Sequence, residues 1–251
     1  MGSHVSDRMK STWNALARQN AMHFIATERE DWDTESFLKS GRETVHHLLG
    51  MMGASTEKRP GVALDLGCGV GRLSFALADL FDTVIAVDVS EEMIERANLL
   101  KEELGCQNVE FYSNNGHDID FIADSSCDLV LSYIVLQHIP AQKIVLGYIK
   151  EMARAVKSNG YILFQAPVYQ IKPSVYIWRI IQKLFRFSLW NIESLGLIAA
   201  EKGVAFRGIR LSMKELSSAL HESGMEIITT KRQKTTYRFC EDITLYCRKT
   251  T

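Results

Sequence analysis

The hydrophobic pattern of this chain changes period near residue 62. Before that point apolar positions recur at helical spacing and predict two helices, about 8–26 and 32–50, with Asp33 or Thr34 capping the second. A polar loop from Gly53 to Gly61 follows. Short apolar, β-branched runs then alternate with helical stretches. The runs at 62–66, 83–88, 108–112, 129–132 and 161–164 predict five strands, and the stretches at 70–80, 90–104 and 141–156 predict helices between them. Ser90 stands at an N-cap, with Glu91 and Glu92 in the first turn where the helix dipole favours acids, and Gly105 stops that helix. The rhythm breaks over 168–208. A further helix starts at Ser212 and ends at Gly224, and 226–230 with 243–247 close the chain as a strand pair. Strands alternating with helices argue for an α/β fold, a parallel sheet with helices on both faces. The expected organisation is a helical cap segment over 8–61, a main domain built from 62–167 and 209–251, and an inserted helical lid over 168–208. Met1-Gly2-Ser3-His4 reads as an expression remnant and takes no part in this reasoning.

Composition narrows the partners. The chain has 251 residues, 46% of them hydrophobic, enough for a substantial core, and a net charge of −1. Nucleic acid as the bulk partner normally demands a clear basic excess, so none is expected. The five cysteines Cys68, Cys106, Cys127, Cys240 and Cys247 form no Cys-x-x-Cys pair. Reduced thiols in the cytoplasm are the plain reading, and no metal site is expected. No early stretch resembles a signal peptide, and no run of about 18 apolar residues occurs.

The chemistry concentrates where strand one ends. Residues 62–72 read Val-Ala-Leu-Asp-Leu-Gly-Cys-Gly-Val-Gly-Arg, and Asp88 closes strand two. Glycines let a backbone turn tightly and approach a ligand closely. An acid at the tip of the second strand is placed to accept two ribose hydroxyls. Dinucleotide binding asks for Gly-x-Gly-x-x-Gly, whereas Gly67, Gly69 and Gly71 are spaced Gly-x-Gly-x-Gly, with Asp65 two residues before the first. This spacing leaves no clear pyrophosphate cradle.

On these residues, with Ser90-x-x-Met93, the segment 62–164 resembles the catalytic core of class I S-adenosylmethionine (SAM) methyltransferases, in the branch of ubiquinone-pathway, phosphobase and sugar enzymes. The resemblance implies a Rossmann-like seven-stranded sheet of order 3-2-1-4-5-7-6, with strand seven antiparallel. It implies SAM as cofactor and S-adenosylhomocysteine as product. In such a site Asp65, Gly67, Cys68 and Gly69 lie under the methionine part, Asp88 and Val89 at the ribose, and Met93 on the adenine. The adenine amine is usually met by an acid after strand three. Here the stretch is Asn114-Asn115-Gly116-His117-Asp118, so Asn115 with Gly116 takes that place and Asp118 is its rival. An amide oxygen still accepts the amine hydrogen.

After strand four, Ser132 and Tyr133 would run beside the sulfonium, and Tyr133 would face the cofactor or substrate. His138 matches a catalytic histidine of phosphobase methyltransferases, where it works with an N-terminal tyrosine. This chain offers Trp13, His23, Phe24 and Trp32 instead, so the pair is not reproduced. His138 is either a general base or a structural residue of the loop before Pro140. Arg42, in Ser40-Gly41-Arg42, matches an arginine that grips the cofactor carboxylate in ubiquinone-pathway relatives, and fork geometry suits that partner.

Within the insertion, Arg179, Gln182, Lys183 and Arg186 form one polar stripe on an otherwise apolar helix over 176–190. It is a lid over the site or an interfacial helix at a membrane surface, giving access to a lipid-like substrate. The expected activity is methyl transfer to an oxygen, nitrogen or carbon of a small molecule. The alternatives are a SAM-binding regulatory module without transfer and a protein methyltransferase. Asn-Pro-Pro-Tyr, Asp-Pro-Pro-Tyr and Pro-Cys motifs of nucleic-acid methylation are absent.

Overall fold

The computed structural model describes residues 2–51, 53–169, 211–234 and 240–250. Its elements follow in chain order: α1 (Gly2–Ile25), α2 (Thr34–Gly50), β1 (Arg59–Leu66), α3 (Arg72–Ala78), β2 (Phe81–Asp88), α4 (Glu91–Leu104), β3 (Val109–Ser113), β4 (Cys127–Ser132), a 3-10 turn (Leu136–His138), α5 (Gln142–Ala155), β5 (Val156–Tyr169), α6 (Met213–Glu222), β6 (Met225–Lys234) and β7 (Cys240–Lys249). The seven strands form one sheet of order β3-β2-β1-β4-β5-β7-β6. The pairs among β1 to β5 are parallel, and β7 runs antiparallel to both neighbours. This is the order and the single reversed strand that the sequence resemblance implied.

Alternation along the strands sorts the core onto two faces. Leu64, Leu66, Val130, Ile162 and Phe164 pack with α5 and α6 on one side. Ala63, Val84, Ala86, Leu129, Leu131 and Leu163 pack with α2, α3 and α4 on the other. Leu38, Val45, Leu48 and Leu49 of α2 sit in that second core, so α2 is part of the layer against the sheet.

Caps fix where helices begin. Asp33 accepts the Ser36 N–H, Ser90 accepts the Met93 N–H, and Ser212 with Glu215 forms a reciprocal capping box. All three helix starts stand where the sequence placed them, Asp33 being one of its two candidates for the second helix. Several boundaries differ from expectation, most widely at the first helix and at β5. The first helix starts at Gly2 and carries a kink at Asn20 (φ −164°, ψ 89°), where the side chain bonds the Glu30 carbonyl and the His23 N–H. β5 starts directly after α5, at Val156, and its register with β4 shifts before Tyr161. Its end is carried to Tyr169 by pairing with β7, a long-range partner that local pattern does not reveal. The helix expected over 176–190 lies outside the described residues. Among those residues, no helix is long and apolar enough to cross a membrane.

Candidate active site

The carboxyl ends of β1, β2 and β4 open into one cavity, with Asp65, Gly67, Gly69, Asp88, Tyr133 and His138 in its wall. Its floor is the glycine turn. Gly67 and Gly69 take left-handed φ of 83° and 56°, a region costly for residues with a Cβ. Space is closed as well: a Cβ at Gly67 would lie 2.3 Å from Val135 Cγ2, and one at Gly69 2.4 Å from Ile25 Cδ1. The turn's amides are occupied. Gly67 and Cys68 both donate to the Val87 carbonyl, at 2.7 and 3.0 Å, and Gly71 donates to the Cys68 carbonyl at 3.0 Å. Gly69 donates to Asp88 Oδ2 at 2.9 Å. Four N–H groups that would otherwise cradle a phosphate are thus used internally, and two carboxylates, the buried Asp65 and the half-buried Asp88, flank the turn. Such a floor disfavours pyrophosphate and fits a ligand with cationic centres and a ribose, as SAM has.

Asp88 is held from both sides, with Oδ2 on Gly69 N–H and Oδ1 on Ser90 N–H at 2.8 Å. A carboxylate offers about four lone-pair sites, so capacity remains on both oxygens for a pair of hydroxyls. Burial pushes its pKa up, against the pull of these backbone bonds. Asp65 is buried and accepts the Ser74 hydroxyl at 2.6 Å. Desolvation raises its pKa from 3.8 to about 6 despite that bond. Cys68 lies in the wall with its thiol pushed well up by burial, an inert packing group. Val89 and the fully buried Met93 also line the cavity.

At the end near β3 the cavity wall is one residue away from the position the sequence singled out. Asn114, not Asn115, faces the cavity. Its amide donates to the Asp118 carbonyl and the Tyr148 hydroxyl, both at 2.9 Å, and Tyr148 lines the cavity beside it. Asn115 is exposed and closes a local turn: its oxygen accepts the His117 and Asp118 N–H groups, and its amide bonds the Asp118 carboxylate. Gly116 lies against Val89, Met9 and Ser6, and is not in the cavity wall. Ser132 is also off the wall: its hydroxyl donates to the Leu66 carbonyl at 3.0 Å, tying β4 to β1. Arg42 stands apart from the cavity wall. It is half-exposed and paired with Asp79 at 2.8 Å, so its fork is turned to the surface. A buried arginine next to the glycine turn, Arg72, lines the cavity instead.

Two elements cover the site. The loop after β4 carries Tyr133, whose hydroxyl hydrogen-bonds Gln233 and whose pKa burial pushes up. Next to it Ile134, β-branched, takes φ 60°, a conformation rare for its type and costing about 1–3 kcal/mol. Strain is thus stored in the wall between Tyr133 and His138. From the other side, Met9, Trp13, Phe24 and Ile25 of α1 enter the wall. Lys10–Glu91 at 2.6 Å, Arg18–Glu92 at 3.1 Å and the Asn14 oxygen on the Ser90 hydroxyl at 2.7 Å tie α1 to α4. The sequence reading missed Met9, Ile25, Arg72, Asn114 and Tyr148 as wall residues. Met9 and Trp13 stand at i and i+4 in an apolar stripe, a signal that predicts burial without saying of what.

Residues 58–196 match a family model described as a methyltransferase domain. The chain is 30% identical over 116 residues to an uncharacterised methyltransferase, YcgJ, of Bacillus subtilis, covering 46% of this chain and 44% of that protein. It is 29% identical over 164 residues to a ubiquinone biosynthesis O-methyltransferase of Idiomarina loihiensis, covering 64% and 65%. Both matches thus span less than two thirds of the relative's length. Among solved structures, a magnesium protoporphyrin IX methyltransferase of Synechocystis with bound SAM has the same fold, at TM-score 0.62 and 16% identity over 98% of this chain and 97% of that one. The family model takes in more than half of the sequence, and the chain therefore belongs to the methyltransferase-domain family, in the SAM-dependent class I.

Proposed function

We propose that the protein transfers the methyl group of SAM to a nucleophile, most simply a hydroxyl oxygen, on a small molecule with an apolar body. The observation carrying this reading is that the acid pair Asp65 and Asp88 shares one covered cavity with Tyr133 and His138. Bound SAM supplies an activated methyl group on a sulfonium. The chain's residues supply the rest. Asp88 receives the ribose hydroxyls, and Asp65 receives the amino group. α1 and the strained loop after β4 exclude water and align the acceptor, and alignment of this kind contributes several kcal/mol, on the order of 7 or more in favourable cases. For a hydroxyl acceptor, His138 takes the proton. The apolar entrants Met9, Trp13, Phe24 and Ile25 favour an acceptor of limited polarity. The relatives named as O-methyltransferases support oxygen as its nucleophile.

A radiolabelled-methyl assay with SAM and cell extract, separated into lipid and polar pools, tests the reading. Label should enter one small-molecule pool. Tight S-adenosylhomocysteine binding with no label transferred to any pool would instead assign a regulatory SAM-binding module. Label in protein alone would assign a protein methyltransferase.

A further inference from the structure

Arg72 is 8% exposed, lines the cavity, and is the residue that follows the glycine turn. Its Nη1 donates to Ser40 Oγ at 3.4 Å and Thr44 Oγ1 at 3.2 Å. Both hydroxyls spend their own hydrogens on α2, Ser40 on the Phe37 carbonyl at 2.7 Å and Thr44 on the Ser40 carbonyl at 2.8 Å. Only their lone pairs are left to face the guanidinium. Between them Gly41 lets α2 lie directly on Arg72, where a Cβ would come within 2.1 Å of its carbonyl oxygen. Positions 40, 41 and 44 thus build one collar that fixes the arginine by neutral groups. Its Nε is buried and has no acceptor among the described residues.

A buried cation satisfied only by neutral acceptors, with a donor left over, is costly. Desolvation pushes the Arg72 pKa down, and Glu28, Tyr133 and Asp65 counter that only through electrostatic reach. The cavity beside it is where an anion relieves both the charge and the orphaned donor. A planar fork matches a carboxylate in particular.

We propose that Arg72 is the anion-receiving residue of the cavity and takes a carboxylate of the ligand bound there. The inference rests on the methyltransferase reading for which ligand arrives, but not for the chemistry of the subsite. One carboxylate is the cofactor's own, and the other is an acid on the acceptor.

The experiment uses the full chain, with calorimetry and the 15N-detected Nε–H resonance of Arg72. S-adenosylhomocysteine carries the amino-acid carboxylate, 5′-methylthioadenosine lacks it, and benzoate is a bare carboxylate. If the cofactor's carboxylate is held, Arg72→Met weakens S-adenosylhomocysteine at least about tenfold and leaves 5′-methylthioadenosine within about twofold. If the acceptor's is held, S-adenosylhomocysteine is unchanged, and benzoate added to the saturated wild-type protein shifts the Arg72 Nε–H resonance. Should Arg72→Met fail to fold, Arg72→Lys, which keeps the charge and loses the fork, and the resonance of the unmutated chain carry the test. An Nε–H signal that neither ligand moves, with equal affinities in the variants, overturns the proposal. Wild-type protein that ignores S-adenosylhomocysteine yet responds to benzoate at Arg72 would sink the cofactor reading and leave this inference standing.

Discussion

The indole of Trp13 stands edge-on to the imidazole of His138, ring centroids 5.4 Å apart and planes at 81°. This contact joins α1 to the loop after β4 across the cavity. Perpendicular aromatic pairs contribute about 0.5–1.5 kcal/mol beyond their buried area. The ion pairs Lys10–Glu91 and Arg18–Glu92 are partly or largely exposed, and such pairs contribute about 1 kcal/mol or less. Closure of α1 therefore depends more on the ring contact and the Asn14–Ser90 bond than on its charges.

A double-mutant cycle of Trp13→Leu and His138→Asn should accordingly show a coupling of about 0.5–1.5 kcal/mol in chemical denaturation. His138→Asn alone should leave S-adenosylhomocysteine affinity nearly intact and slow methyl transfer about 10²–10⁴-fold where His138 is the base. Additive single effects, with turnover unchanged, would reduce His138 to a packing residue that also fails to hold α1.

Gly67→Ala should damage the site for two separable reasons. Its φ of 83° strains any residue with a Cβ, and the added atom would lie 2.3 Å from Val135 Cγ2. The backbone part alone costs about 1–2 kcal/mol. Adding Val135→Ala should restore part of the lost stability and not all of it, as measured by melting temperature. Full restoration would mean that φ at Gly67 carries no strain; no restoration would mean that Val135 already gives way.

The alternation of strands with helices and the acid-flanked turn were legible in the sequence because both are local: Asp65 to Asp88 is a single β-α-β unit. The order of the seven strands, which joins β1 to β4 and β5 to β7, came from the family resemblance and not from local pattern. What the sequence did not disclose was set by distant partners. Arg42 and Arg72 lie on neighbouring helices, and only the packing of α2 on α3 decides that Asp79 turns the first outward while Ser40 and Thr44 hold the second inward. Asn114 and Asn115 differ by one step at a strand end, where side chains alternate between faces. A shift of one residue exchanges a cavity contact for a turn cap.

The stripe Arg179, Gln182, Lys183 and Arg186, outside the described residues, carries a membrane prediction. Anionic vesicles should recover the protein by flotation at low salt, and salt should release it because screening acts on exposed charges. Arg179→Glu with Arg186→Glu should abolish recovery. No recovery of the wild type at low salt would leave only the lid reading for 176–190.

Asp65 gives the pH prediction. Its folded pKa of about 6 lies above the ordinary 3.8, because burial opposes its charge more than Ser74 supports it. Below about pH 4 the group is neutral in both folded and unfolded chains and contributes no difference. Between about 4 and 6 the unfolded chain ionises and the folded one resists, so stability falls as pH rises, by about 3 kcal/mol in all, and then levels off. Asp65→Asn should therefore be more stable than wild type at pH 7.5, with the gap closing as pH drops towards 4. Ligand affinity should move the other way. An ammonium group pairs with the ionised carboxylate, so S-adenosylhomocysteine should bind more tightly at pH 7.5 than at 5.5, and Asp65→Asn should flatten that rise. Burial raises the Asp88 pKa as well, so protonation of that carboxyl acts on ligand affinity in the same direction. Ser74→Ala should extend the wild-type stability loss to higher pH, since the hydroxyl that supports the charge is gone. Identical stability–pH curves for wild type and Asp65→Asn between pH 4 and 7 would show that the buried carboxyl stays charged throughout, held by a partner stronger than Ser74.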